Sequence, residues 1–127
     1  MATKRKTRVF VSFDFDNDKR LKDFIIGQSR LDDSPFTVED WSMKEAAPQA
    51  NWEVEAENRI SRSDKVLVMV GPKTHCAGGV LKEVAITRRL GKPIFQVIGY
   101  RDSSPKPVAN AGRLYRWNWE NLKKLLA

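Results

Sequence analysis

The stretch from Asp64 to Gly99, DKVLVMVGPKTHCAGGVLKEVAITRRLGKPIFQVIG, constrains the fold more than any other part of the chain. Lys65 to Val70 is short, apolar and rich in Val, which suits a strand covered on both faces, as parallel strands are. Gly71-Pro72 ends it. After a polar loop a helical pattern of Val80, Leu81, Val84 and Ala85 begins at Gly78-Gly79 and stops at Leu90-Gly91, ahead of Pro93. Ile94 to Ile98 is a second apolar run. Strand, helix and strand in this order make a βαβ unit, with a right-handed crossover and ligands outside the carboxyl ends of the strands. On this reading Glu83 falls in the first turn of the helix, on that edge. It lies ~60° from Val80 around the helix, between Thr87 and Leu90, at the border of the apolar face and away from Lys82 and Arg89. Periodicity leaves two roles open for it: an acid complementing the helix macrodipole, or a carboxylate pointing into the ligand crevice.

The rest of the chain extends the same pattern. Residues 1–7 are polar, basic and aperiodic and read as a tail, leaving residues 8–127 as a single domain. Arg8 to Phe13 is a strand that runs into an acidic segment, where Asp16 or Asn17 can cap the next helix. That helix, Asp18 to Arg30, carries Leu21, Phe24, Ile25 and Gln28 on one face. The turn Asp32-Asp33-Ser34-Pro35 leads to a short strand from Phe36 to Glu39, and Asp40-Trp41-Ser42 leaves its carboxyl end. A loop from Met43 to Gln49 precedes a helix from Ala50 to Arg62, with Trp52, Ala56 and Ile60 on its buried face. Its glutamates, Glu53, Glu55 and Glu57, come early and its arginines, Arg59 and Arg62, late, as the macrodipole prefers. Beyond the βαβ unit, Arg101 to Gly112 is a polar loop, Leu114 to Trp117 a short last strand, and Asn118 a cap for a closing helix from Trp119 to Leu126.

The order βαβαβαββα predicts an α/β, flavodoxin-like three-layer sandwich around a parallel five-stranded sheet of order 2-1-3-4-5. The switch point then lies between strands 1 and 3. The loops after Phe13 and Val70, together with the helix carrying Glu83, face one crevice.

Charge and cysteine content narrow the partners. The net charge of +7 raises nucleic acid as a ligand, but its lysines and arginines crowd the N-terminal tail or interleave with acids along helices, so a solvated surface is expected instead. The chain has one cysteine, Cys76, which excludes an internal disulfide framework or a cysteine-based zinc site. No signal-like or membrane-spanning apolar run is present, and a cytoplasmic protein is expected.

Several occupants of this fold fail on residues. A phosphoacceptor receiver needs an aspartate ending strand 3, where Met69-Val70-Gly71-Pro72 stands. A Gly-rich nucleotide loop after strand 1 is absent from Ser12-Phe13-Asp14-Phe15-Asp16. Gly78-Gly79 at a helix start is a weak anion signal and most often only a turn. Asp14, Asp16 and Asp18 lack the glycine and distal glutamate of a calcium loop, so capping is the expected role and no metal is expected. His75, the only histidine, has no nucleophile pattern beside it, though its loop borders the crevice. Phe13, Phe15 and Trp41 are aromatics at strand ends, suited either to packing or to stacking on a planar ring.

Together, VFVSF followed by acidic residues, a strand entering Asp40-Trp41-Ser42, VLVMVGP, KEVAITRRLGKPIF and a terminal YRWNW before a helix resemble the bacterial TIR-like domains of the Thoeris antiphage-defence (ThsB-like) type. The resemblance runs from Arg8 to Leu126. It implies that Glu83 is the catalytic residue of NAD+ cleavage, and that the products are nicotinamide and an ADP-ribose or cyclic ADP-ribose-type signal read by a separate effector protein. NAD+ is then a substrate, and no cofactor is implied. Phe13, Phe15 or Trp41 would stack on nicotinamide or adenine, Ser12 and Asp14 would bind ribose or base, and His75 would touch the ligand. Many TIR domains carry Trp four residues before this glutamate, where this chain has Gly79. A non-catalytic TIR-like interaction module and a nucleoside deoxyribosyltransferase-like enzyme therefore stay open. Self-association is a further expectation, with the Asp40 to Gln49 loop, through Trp41, Met43 and Pro48, reaching a second copy.

Overall fold

The computed structural model describes residues 6–43, 49–100 and 103–127. Most of the expected Met43 to Gln49 loop, including Pro48, therefore lies outside the described residues, as do the first five residues of the tail and the start of the Arg101 loop.

The elements follow in the order β1 (Thr7–Ser12), α1 (Lys19–Ser29), β2 (Phe36–Trp41), α2 (Gln49–Ser61), β3 (Lys65–Val70), a 3-10 turn (Thr74–Cys76), α3 (Gly78–Arg89), β4 (Ile94–Ile98), β5 (Leu114–Tyr115) and α4 (Trp119–Leu126). The sheet has five strands in the order β2-β1-β3-β4-β5, all pairs parallel, as the βαβ pattern requires. Thr7 belongs to β1 and not to the tail, since its N–H donates to Pro35 O at 3.1 Å.

The central strand β3 is covered on both sides, and period-2 alternation sorts its side chains between two cores. Val66, Val68 and Val70 pack with Phe10, Trp52, Ala56, Ile60, Val80, Val84 and Ile86, which belong to the α2–α3 side. Leu67 and Met69 pack with Val9, Val11, Phe13, Leu21, Ile25, Leu122 and Leu126, on the α1–α4 side. Each fully buried aliphatic side chain contributes about 1.5–3 kcal/mol.

Four local expectations are corrected. In α1, Leu21 and Ile25 are buried but Phe24 is 56% exposed, leaning on Trp117 with ring centroids 6.2 Å apart. In α3 the buried stripe is Val80, Glu83, Val84, Ile86 and Thr87, while Leu81 and Ala85 face outward. The N-cap of α1 is Asp18, not Asp16 or Asn17, and its side chain makes no capping bond because it is committed elsewhere. The first turn of α2 holds no acid, because the helix starts at Gln49, ahead of Glu53.

The strand β2 runs two residues further than expected, to Trp41, and its pairing with β1 is irregular. Val9 pairs with Val38 but Phe10 with Asp40, so Glu39 is skipped. A one-residue slip exchanges the faces of everything that follows it. Phe36 and Val38 face α1, and after the slip it is Trp41 that joins them there. Ser42, whose N–H donates to Val11 O at 3.0 Å, is thereby turned to the opposite face, toward α3.

Candidate active site

Three chain segments meet at the carboxyl edge of the sheet. β1 delivers Ser12 on the α3 side, in phase with Phe10, and then the loop Phe13 to Asn17. β2 delivers Ser42 through its register slip. α3 delivers Glu83 from its second turn, since the helix begins at Gly78 and its first turn contains no acid. The expected first-turn position is thus corrected. Macrodipole stabilisation, which fades beyond the first turn, no longer accounts for a glutamate here.

What does account for it is a set of hydroxyl donors. Glu83 is 1% exposed. The Ser12 hydroxyl donates to Glu83 Oε1 at 2.7 Å and the Ser42 hydroxyl donates to the same oxygen at 2.6 Å. Ser42 Oγ in turn accepts the Phe13 backbone N–H at 3.0 Å. The carboxyl group is therefore held by both strand ends, and the loop after β1 is held by the same serine. On the helix, Thr87 Oγ1 donates to Glu83 O at 2.7 Å, which satisfies a buried hydroxyl. Burying a carboxyl group is costly unless its oxygens find donors, so two serines at adjacent strand ends are the local answer to a glutamate at this position.

Glu83 lines a cleft of about 320 Å³, within the usual range for small-ligand sites. Phe13, Asp14, Phe15, Ser42, Cys76 and Gly79 are among its other walls. Phe13 and Phe15 stack with centroids 6.0 Å apart, and Lys19 Nζ lies 4.5 Å from the Phe15 ring centroid. Asp14 is 7% exposed and accepts from Asn17 Nδ2 at 2.7 Å, a bond that closes the loop over α1. Gly79 stands on the same wall.

The structure brings together Glu83, Ser12, Phe13, Asp14 and Phe15 among the residues singled out from sequence. Ser12 acts behind the wall, with its hydroxyl on Glu83. Trp41 stands apart: half-buried at the end of β2, it packs on the α1 side with Lys22 Nζ 5.0 Å from its ring centroid. His75 sits in the 3-10 turn outside the cleft, with a buried Nδ1 that has no hydrogen-bond partner among the described residues. Its neighbour Cys76, exposed and with its thiol donating to Lys73 O at 3.3 Å, lines the cleft instead. Among the described residues no group of three or more His, Cys, Asp or Glu is placed to hold a metal ion. Ser42 was not singled out as a site residue from sequence. Its only signal is a hydroxyl directly after a strand next to strand 1, and its direction depends on the slip at Glu39.

A second buried carboxyl group lies beside this cleft. Asp18, 2% exposed, accepts the Tyr100 hydroxyl at 2.5 Å and the Thr74 hydroxyl at 3.4 Å, tying the start of α1 to the ends of β3 and β4. Burial, and then the hydrogen bond to Asp18, push the Tyr100 hydroxyl above its ordinary pKa of 10.0. A Cβ on Gly71 would stand 2.3 Å from Asp18 Oδ2, so the backbone approaches this carboxylate as closely as only glycine permits.

No curated protein matches the chain at the level that marks a relative. No described helix is long and apolar enough to cross a membrane. The family model described as the TIR-like domain of Thoeris protein ThsB matches residues 10–103, which run from the second half of β1 through β4 and include every wall of the Glu83 cleft. With the five-stranded 2-1-3-4-5 sheet, that match makes this chain a member of the TIR-like domain family of the Thoeris antiphage-defence protein ThsB.

Proposed function

We propose that this domain cleaves NAD+ at the bond between nicotinamide and ribose, yielding nicotinamide and an ADP-ribose or cyclic ADP-ribose-type signal for a separate effector. The observation that carries the reading is the carboxyl group of Glu83, held by Ser12 and Ser42 in the wall of a cleft with stacked aromatics. Departure of neutral nicotinamide takes the electron pair of the C1′–N bond and leaves an oxocarbenium-like ribose. A preorganised carboxylate stabilises that positive charge without reorganising during the reaction. The serine bonds set its orientation in advance. Phe13 and Phe15 offer a flat apolar surface for nicotinamide. Water attacking C1′ forms the new C–O bond, loses a proton and gives ADP-ribose; attack by an adenine nitrogen gives the cyclic product.

The near-complete burial of Glu83 supports a resting protein of low activity, with turnover rising as copies assemble or an inducing ligand binds. Purified protein at rising concentration, incubated with NAD+ and resolved by chromatography, is expected to release nicotinamide more than in proportion to concentration. Glu83→Gln, which keeps an acceptor for both serines but removes the charge, is expected to lower turnover by at least about a hundredfold. Equal turnover in wild type and Glu83→Gln refutes the role of Glu83. Nicotinamide release that never appears, in the assembled and in the induced protein alike, leaves the non-catalytic interaction module as the function.

A further inference from the structure

The Glu83 cleft is too small for a whole dinucleotide, but it does not end where its own walls end. A second cleft of about 380 Å³ shares Asn17 and Lys73 with it, and adds Asp18, Arg20, Tyr100 and Ser103. A third, of about 750 Å³, shares Tyr100 and Ser103 with the second and reaches Arg116 and Trp117. The three adjoin along the carboxyl edge of the sheet, from the β1–β3 crevice to the β4–β5 end. With strands about 4.8 Å apart, that is a lateral step of about 10 Å.

Among the described residues, the cations that line this trough have no carboxylate partner. Lys73, Arg20 and Arg116 form no ion pair among the described residues, whereas most of the cations that do sit on helix faces. Asp18, the carboxylate beneath them, is buried and taken up by Tyr100 and Thr74. Arg20 lies over the Tyr100 ring, its Cζ 4.9 Å from the centroid. The hydroxyl of that ring is anchored on Asp18, so the guanidinium is stacked in place before any ligand arrives. A planar guanidinium so held suits a phosphate, and Lys73 adds a mobile point charge between it and Glu83.

We infer that this trough binds the adenosine diphosphate half of a dinucleotide, with the diphosphate over Lys73 and Arg20 and the distal nucleoside toward Arg116 and Trp117. The inference rests on the NAD+ reading of the Glu83 cleft and extends the same site to the rest of the substrate.

The test uses the full chain and titration calorimetry with ADP-ribose, alongside NAD+ turnover. Lys73→Ala and Arg20→Ala each remove an exposed side chain and are expected to melt as the wild type does. Each is expected to weaken ADP-ribose binding about tenfold, as loss of a charge-assisted phosphate contact does. Lys73→Arg is expected to restore binding, and wild-type affinity is expected to fall with added salt. Nicotinamide riboside, which has no phosphate, is expected to be insensitive to both variants. ADP-ribose binding at wild-type strength in both alanine variants, or no binding to the wild type, overturns the inference. If in either case NAD+ is still cleaved through Glu83, the proposed function stands alone. Binding that depends on Lys73 and Arg20 without any NAD+ cleavage refutes the enzyme reading and keeps the trough.

Discussion

Removing the Ser42 hydroxyl tests the coupling between the β2 register and the site. In Ser42→Ala two bonds go at once: the donor to Glu83 Oε1 at 2.6 Å and the acceptor of the Phe13 N–H at 3.0 Å. Loss of a hydrogen bond to a charged group costs about 1.5–3 kcal/mol, and a buried N–H left unsatisfied about 1–3 kcal/mol. The two are not additive, because the Phe13 loop can relax when released, so a loss of about 2–4 kcal/mol is expected. Ser12→Ala removes only the donor to the same oxygen, at 2.7 Å, and is expected to cost about 1–2 kcal/mol because Ser42 still holds Oε1. With a urea m-value of about 2 kcal/mol/M, the midpoints move down by about 1–2 M and 0.5–1 M respectively, with m unchanged. Equilibrium urea unfolding followed by tryptophan fluorescence reads both. A double-mutant cycle of Ser42→Ala with Glu83→Leu is expected to show a coupling above about 1 kcal/mol, since the residues touch. The reasoning is refuted if Ser42→Ala and Ser12→Ala shift the midpoint equally, or if the cycle closes to zero. Either result would mean that Ser42 does not link the β1 loop to the carboxylate.

Two further outcomes are expected. The raised pKa of Tyr100 means that its neutral hydroxyl is favoured in the folded state, so its contribution is complete below pH about 10 and is lost as pH rises through the folded value. Thermal melts from pH 8 to 11 should therefore fall more steeply for wild type than for Tyr100→Phe, and parallel curves would show that the bond to Asp18 has no such linkage. Cys76 is exposed and lines the Glu83 cleft, so alkylation with a bulky maleimide should block NAD+ turnover while Cys76→Ser, treated alike, keeps it; full turnover after complete labelling would place the reaction elsewhere.

The sheet order, the helices and the crevice between β1 and β3 follow from local information. The short apolar runs at Lys65 to Val70 and Ile94 to Ile98 read as strands covered twice, and the helix between them makes their pairing parallel. The same logic placed Glu83 at the carboxyl edge, facing the loop after Phe13, while Ser12 and Asp14 joined it through the family resemblance. The depth of Glu83 in its helix was less legible. The start at Gly78-Gly79 was expected and found, yet it sets Glu83 in the second turn of α3 and not the first, which changes what its charge could be there for. Faces were less legible still. Phe24 and Leu81 match a buried stripe by spacing, yet are 56% and 40% exposed.

What tertiary structure alone decided is which hydroxyls meet the carboxylate. Alternation along Phe36, Val38 and Asp40 would send Ser42 to the α1 side, with Phe36. The pairing of Phe10 with Asp40, which skips Glu39, sends it to Glu83 instead and puts Trp41 among the α1-side core. A slip of this kind is set by contacts between strands more than twenty residues apart, so no window of the chain contains it. The shared walls of the three clefts have the same origin: Lys73, Arg20 and Arg116 are scattered in sequence and become one row only when β3, α1 and β5 are packed at the same sheet edge.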